Sequence, residues 1–419
     1  MQTIRGTKDI LPNEIQDWQK LYTEALKILN LYNYHEIRTP IIEPTELFTK
    51  GIGHTTDIIN KEMYSFIDQS NRNITLRPEG TASIARAFIS NKLYKTSNIQ
   101  RLWYMGPMFR YERPQNGRQR QFHQIGIECI GSNSPMADIE VIKIAHIILQ
   151  KLKCPKYKIE INSIGNQKER EKYKQVLINY IEKYKDEIDI DSKKRLYTNP
   201  LRILDSKNIN TQKILKDAPC ISQYLEKESK ENFELVCEHL HLLKIPYLVN
   251  RRLVRGLDYY NYTAFEIINQ NLDNKQTICG GGRYDNLIQK LGGPNTPGVG
   301  WAIGIERLIL LINKNKKNIS KEARFYIITQ GSKAKKKAWD LIHLLEINNI
   351  KFHLDLSSSS FQKQIKKANK NNTKGCLILG DQEIDNNTIT IKWLHEYYQE
   401  TILYTNIIKY LQIKSKIQI

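Results

Sequence analysis

Residues 107–128, PMFRYERPQNGRQRQFHQIGIE, carry the densest chemistry in the chain. Arg110, Arg113, Arg118 and Arg120 fall within eleven residues. That is more positive charge than the nearby carboxylates can pair. Arginine presents a planar fork of donors that suits phosphate oxygens two at a time. Pro-Gln-Asn-Gly at 114–117 is turn chemistry, so the segment reads as a hairpin with a central loop. On the strand before the loop, Arg110 and Glu112 share one face, and Phe109 and Tyr111 the other. On the returning strand, Phe122, Gln124 and Glu128 share a face. If the two faces coincide, the sheet has a charged floor with an aromatic ring set into it. Such a floor is costly unless solvent or a ligand covers it. Charge pairs on a solvated sheet face would give a similar alternation. The surplus of arginine and the phenylalanine weigh toward a phosphorylated ligand.

The whole chain is basic too. Its 419 residues carry a formal charge of +20, which favours polyanions such as nucleic acid, nucleotides or an anionic membrane. Part of that charge belongs to a composition rich in Ile, Lys and Asn, residues of A/T-rich codons. The length suggests two or three domains. Cys129, Cys154, Cys220, Cys237, Cys279 and Cys376 form no C-x-x-C pair and read as reduced thiols of an intracellular protein. The stretch from Cys237 to His241 suits neither a zinc finger nor a catalytic zinc site, and no metal site with dedicated protein ligands is expected. The opening MQTIRGTKDILP lacks the apolar core of a signal peptide and contains an acidic residue. No apolar run approaches the ~18 residues of a spanning helix, so no membrane partner is expected. TICGGGRYDN, residues 277–286, places three glycines after a strand, which allows either close backbone approach to a ligand or a tight turn. It is not G-x-G-x-x-G, and no dinucleotide site is implied.

The elements that must position these residues follow from periodicity. Residues 14–31 space Trp18, Leu21, Tyr22, Ala25, Leu26 and Leu29 as an amphipathic helix. A strand is expected over 36–44, closed by Pro40 and Pro44, and another over 74–77. Helices are expected over 80–90 and 136–151, on either side of the hairpin, and a strand over 156–165. From about 166 to 245 charge is dense and periodicity helical, which reads as a helical insertion. Strands resume at 247–253, 262–268 and 277–282. GVGWAIG, 298–304, runs directly into the helix IERLILLI. Residues 313–318, NKNKKN, form a charged linker. Beyond it come strand 325–329, helix 332–347, strand 351–356, helix 361–370, strands 376–381 and 388–393, and helix 401–411. That alternation indicates a small α/β domain with a mostly parallel sheet. Residues 1–318 and 322–419 are thus expected to form two domains.

The hairpin pattern F-R-x-E, loop, R-x-x-x-F resembles the second signature motif of class II aminoacyl-tRNA synthetases. The region around Pro40 resembles the first motif, and GVGWAIGIERL the third. LVRGLDYYN (253–261), TLRPEGT (75–81), QFHQIGIE (121–128), NPLRILDSK (199–207) and GGGRYD (280–285) resemble segments peculiar to histidyl-tRNA synthetases. The resemblance covers residues 5 to about 310 closely and the C-terminal domain more loosely. It implies an α+β catalytic domain, with the class II antiparallel sheet flanked by helices and interrupted by a helical insertion. A C-terminal α/β anticodon-binding domain follows.

The resemblance also implies an activity and a site. The chain would activate histidine with ATP to histidyl-adenylate and pyrophosphate, then transfer histidine to the 3′ end of tRNA(His). Arg110 would bind the α-phosphate, and Arg255 would stand where other class II enzymes bind an extra metal ion. Glu112 would contact the adenine amino group and Phe122 stack on the base. Arg118 and Arg307 would reach the outer phosphates. Glu79, Thr81 and Gln124 would receive the histidine ammonium. Glu128 and Tyr260 would address the imidazole nitrogens, and Tyr259 would wall the pocket. Arg113 and Gln115, on the hairpin loop, would meet the tRNA acceptor end. The insertion would clamp the acceptor stem, and no editing domain is needed for so polar a side chain. The C-terminal domain would read unstacked anticodon bases. Trp393, Tyr397 and Tyr398 could stack there, although core packing is the commoner fate of such residues. ATP with Mg²⁺, a homodimer and either a bacterial cytoplasm or a plastid stroma complete the expectation. The rival reading is a synthetase-like regulatory subunit of histidine biosynthesis. Such subunits as a class lack the anticodon domain and lose catalytic positions that this sequence keeps. A synthetase for proline, threonine or glycine fits Glu128 and LVRGLDYYN poorly, and a generic RNA-binding protein does not explain the ordered motifs.

Overall fold

The computed structural model describes residues 1–53, 56–113, 117–269, 276–313, 325–357, 359–371, 373–394, 396 and 398–417. They form two compact units, Met1–Asn315 and Lys316–Ile419. The first is built on an eight-stranded sheet. Its spatial order is His35–Glu36, Gln100–Phe109, Gln121–Ile130, Gly298–Gly304, Gln276–Arg283, Asn261–Asn269, Tyr157–Ser163, Tyr247–Val249. The six inner strands are mutually antiparallel, and each short outer strand pairs parallel with its neighbour.

Side chains alternate between the two faces of these strands. The odd-numbered residues Trp103, Ile125, Ile127 and Cys129 are buried in a core with helices Pro12–Leu31, Pro135–Lys151, Lys227–Leu242 and Ile305–Asn313. Full burial of one such isoleucine contributes on the order of 2 kcal/mol. Helix Pro12–Leu31 starts on a proline at its first turn, where no N–H is needed. It buries Leu21, Ala25, Ile28 and Leu29 at helical spacing. The even-numbered face carries Leu102, Tyr104 and Met108, and packs with helix Thr81–Ser90 and much of the insertion. The insertion opens with helix Gln167–Glu182, whose capping box joins Asn166 and Glu169.

Three local expectations change. The strand expected over 36–44 is two fragments: His35–Glu36 joins the large sheet, and Ile42–Pro44 joins a separate three-stranded sheet with Asn73–Leu76 and Tyr64–Ile67. The strand expected over 247–253 stops at Val249. The hairpin strand stops at Phe109, so Arg110 and Glu112 lie beyond it. The Glu112 N–H already turns back to the Arg110 carbonyl at 2.7 Å.

The second unit holds a five-stranded sheet, ordered Phe352–Leu354, Phe325–Thr329, Gly375–Leu379, Thr388–Trp393, Tyr398–Leu403. The first three strands are parallel and the last two antiparallel, a mixed sheet rather than a mostly parallel one. The helix expected over 401–411 is displaced. Residues Tyr398–Leu403 form a strand, and the helix is Ile407–Ile417. Among the described residues, no helix is long and apolar enough to cross a membrane.

Candidate active site

The even-numbered face of the large sheet is the floor of a cleft. Arg110, Arg118, Arg255 and Arg307 all line it, as do Phe122 and Gln124. Arg110 stands just past the hairpin strand. Its Nε donates to the Pro78 carbonyl at 2.9 Å, and its guanidinium lies 5.3 Å from the centre of the Phe122 ring. Glu112 accepts from Arg118 Nη1 at 3.1 Å. Arg307 is held by two carbonyls: Nε donates to Gly117 at 2.9 Å and Nη1 to Thr277 at 3.0 Å. Its pKa is pulled down by burial and by the neighbouring Arg118 charge. Four guanidiniums converging on one recess create a strongly positive field suited to a polyanion.

Arg255 comes from an irregular loop between strands Tyr247–Val249 and Asn261–Asn269. It pairs with Glu266, whose other oxygen accepts from Thr277 Oγ1 at 3.0 Å. Burial is the largest influence and works against its charge, but the Glu266 carboxylate together with Tyr260 and Tyr259 outweighs it and its pKa is raised. Its Nε is buried and has no hydrogen-bond partner among the described residues. The glycines at 280–282 lie in strand Gln276–Arg283 and make no turn. A Cβ at Gly280 would collide with the Arg255 guanidinium.

Beside these arginines the cleft is lined by the Glu79 carboxylate and the Tyr259 and Tyr260 phenols. Glu79 accepts from the backbone N–H of Ala82 at 2.7 Å and of Thr81 at 2.8 Å. It therefore caps helix Thr81–Ser90, whose N-terminus favours negative charge. Burial pushes its pKa up against those donors. Glu128 is 1% exposed and shares the even-numbered face with Phe122 and Gln124. Thr81 Oγ1 donates to it at 2.7 Å and the Tyr284 hydroxyl at 2.5 Å. Burial nevertheless pushes its pKa up to about 8. Gly300 sits opposite Glu128 on the next strand, and a side chain there would occupy the space of the carboxylate. Tyr259 and Tyr260 pack with their rings tilted by 48° and ring centres 4.6 Å apart, and the Tyr259 hydroxyl stands 3.5 Å from Glu79. Gln124 Oε1 is buried and without a partner among the described residues.

Of the residues singled out from the sequence, Glu79, Thr81, Arg110, Glu112, Arg118, Phe122, Gln124, Arg255, Tyr259, Tyr260 and Arg307 line this cleft. Glu128 does not line it and is joined to it through the hydrogen bond from Thr81. Arg113 is exposed on the hairpin loop, and Gln115 lies outside the described residues. In the second unit Trp393 is 2% exposed and belongs to the core, Tyr398 is 46% exposed, and Tyr397 lies outside the described residues. Sequence reading assigned no part to Glu266 or Tyr284. Glu266 is the one charged residue in NYTAFEIIN, which is the signal that could have marked it. No group of three His, Cys, Asp or Glu residues suited to a metal occurs among the described residues.

A family model described as histidyl-tRNA synthetase matches residues 6–308. The chain belongs to the histidyl-tRNA synthetase family. A second model, an anticodon binding domain, matches residues 324–414. The chain is 61% identical over 98% of its length to a chloroplastic histidine–tRNA ligase of Gracilaria tenuistipitata, covering 97% of that protein. It is 50% identical to a histidine–tRNA ligase of Rippkaea orientalis, over 97% of this chain and 95% of the relative. Its structure is similar to the apo histidyl-tRNA synthetase of S. aureus, with a TM-score of 0.81 and 37% identity, covering 98% of this chain and 99% of that one. The fold alone is shared, at 20% identity and a TM-score of 0.67, with a Bacillus halodurans protein described as an ATP phosphoribosyltransferase regulatory subunit/histidyl-tRNA synthetase; the match covers 90% of this chain and 98% of that one. The family's reaction is histidine–tRNA ligation in two steps. Histidine is activated with ATP to the adenylate, and histidine then passes to tRNA.

Proposed function

We propose that both steps take place in the arginine-lined cleft, with the following division of labour. Arg110 and Arg255 stand on two sides of the α-phosphate as the histidine carboxylate attacks phosphorus and pyrophosphate leaves. Little covalent help is needed. Placement of the reactants and stabilisation of charge on the five-coordinate phosphorus carry the rate. Arg118 and Arg307 take the outer phosphates, while Glu112 and Phe122 hold the adenine. Glu79, Thr81 and Gln124 receive the ammonium. Glu128 and Tyr260 meet the two imidazole nitrogens, with Tyr259 as a wall. Arg113 and Gln115 meet the acceptor end of tRNA(His).

The observation that carries this reading is the convergence of Arg110 and Arg255 on a cleft that Glu79, Tyr259 and Tyr260 also line. Two unpartnered buried atoms add to it. Gln124 Oε1 is an acceptor suited to an ammonium, and Arg255 Nε is a donor suited to a phosphate oxygen. Mg²⁺ enters with ATP, held by phosphate oxygens and water, as is usual for this ion.

Catalysis is assigned to residues 1–318 and anticodon reading to residues 322–419. The working form is a homodimer. Ile42 and Phe66, 49% and 48% exposed, share one face of the small three-stranded sheet, an apolar surface suited to a second copy. The compartment is the plastid stroma, on the strength of the chloroplastic relatives. The test is ATP–pyrophosphate exchange with each of the twenty amino acids and no tRNA. Exchange with histidine alone is expected. Histidine binding without exchange would instead support a regulatory role.

A further inference from the structure

We infer that the helical insertion is part of the activation site itself, acting through Arg202 on the loop that carries Arg255. This rests on the assignment of Arg255 above. A clamp for the acceptor stem need not touch that loop, yet the insertion holds it at several points. Residues 250–260 form no helix or strand and depend on neighbours for their shape. Arg170 donates to the Tyr260 carbonyl. Asn199 Nδ2 stands 3.5 Å from Asp258 Oδ1. Arg252 Nη2 donates to the Lys216 carbonyl at 2.9 Å.

Arg202 packs against the residue next to Arg255. Its guanidinium lies against Gly256, the residue next to Arg255, and a Cβ on Gly256 would stand 2.9 Å from Arg202 Nη1. Gly256 is not in the left-handed region, so the glycine is there for room rather than for backbone freedom. Nor can Arg202 swing aside freely. Nη1 donates to Asp205 at 3.1 Å and Nη2 to Asp57 at 3.4 Å. Asp57 is also held by Arg195 at 3.0 Å. Asp57 lies between strands Ile42–Pro44 and Tyr64–Ile67 of the small sheet, and Asp205 within the insertion, so Arg202 is pinned from two parts of the chain while it backs the loop. Arg255 itself is paired with Glu266. The loop is thus held at Gly256 by Arg202 and at Arg255 by Glu266. Asn199, Arg202 and Asp205 all belong to NPLRILDSK, which gains a role by this placement: Arg202 is a positioning residue for Arg255.

The test is histidine-dependent pyrophosphate exchange without tRNA, using the full chain. A misplacement of about 1 Å at a reacting group can cost roughly 10²-fold in rate. Arg202→Ala is therefore expected to lower kcat by about 10- to 100-fold with little change in KM for ATP or in melting temperature. Arg202→Lys, which keeps the charge but loses the flat fork, should recover only part of that. Gly256→Ala should slow exchange in the parent, and add little when Arg202 is already alanine, because its clash partner is gone. Additive losses, or a normal kcat in Arg202→Ala, would overturn the inference and return the insertion to a pure RNA clamp. Arg255→Ala run alongside separates the two levels: if it too exchanges normally, the site assignment has failed, not merely its extension.

Discussion

At the scale of residues, the site mixes groups that are already satisfied with groups left waiting. Glu128 accepts from Thr81 and Tyr284, yet burial holds its pKa near 8. An imidazole N–H supplied by substrate would help it carry a charge. Glu128→Ala should raise the KM for histidine by roughly 10- to 100-fold, the scale of one hydrogen bond to a charged group. Near-normal exchange kinetics in that variant would remove Glu128 from the imidazole pocket. The same carboxyl makes a pH prediction. Its folded pKa of about 8 lies above the ordinary value of 4.5, so the folded chain keeps a proton that the unfolded chain releases. Its contribution to stability is complete below pH 4.5 and is lost as pH rises towards 8. The ligand-free parent should therefore lose several degrees of melting temperature between pH 5 and 8 relative to Glu128→Gln, roughly the shift expected for a few kcal/mol. Parallel melting curves would contradict it. The candidate residues that line the cleft were legible through motifs that resemble a family's, since Arg110 and Arg255 lie off the strands and Arg307 lies on a helix. Tyr284 and Glu266 were not, because each acts from the side on another residue and nothing in local spacing reveals a partner on a neighbouring strand.

At the scale of elements, period and turn chemistry located most helices and strands, and failed where tertiary contacts decide. The hairpin strand ends at Phe109 although Arg110 and Glu112 continue its alternation, because the Tyr111 N–H is claimed by the Glu62 carbonyl at 2.7 Å. Residues 398–403 are a strand because Thr388–Trp393 offers an edge to pair with, in register from Trp393↔Tyr398 to Thr388↔Leu403. In the second unit the stacking candidates also shift. Trp393 is core, whereas Trp339 is 64% exposed and Leu356 88%. Both line a cavity beyond the carboxyl ends of strands Phe325–Thr329 and Phe352–Leu354. The starts of helices Ser332–Ile347 and Phe361–Lys370 open onto the same cavity. Ends of parallel strands and starts of helices are common sites for phosphate-bearing ligands. Trp339→Ala should weaken tRNA by about tenfold, the scale of one lost base stack, and leave tRNA-free exchange unchanged. Unaltered charging kinetics would exclude this cavity from anticodon reading.

At the scale of the whole molecule, length and charge suggested only several domains and a polyanionic partner. Motif order supplied the rest, since composition carries no information on which strands meet. The exposed apolar patch makes an assembly prediction. Ile42→Asp combined with Phe66→Asp should convert a dimer to a monomer in sedimentation velocity and lower activity with it. A parent that sediments as a monomer would contradict the homodimer. The central claim concerns charge at the α-phosphate, and the most direct measurement is pyrophosphate exchange by Arg255→Ala at saturating histidine and ATP. Loss of an electrostatic group that acts in the transition state should lower kcat by about 10²- to 10³-fold while the melting temperature holds. A variant that turns over normally at saturation would show that the phosphorus is stabilised elsewhere and that this cleft has been read wrongly.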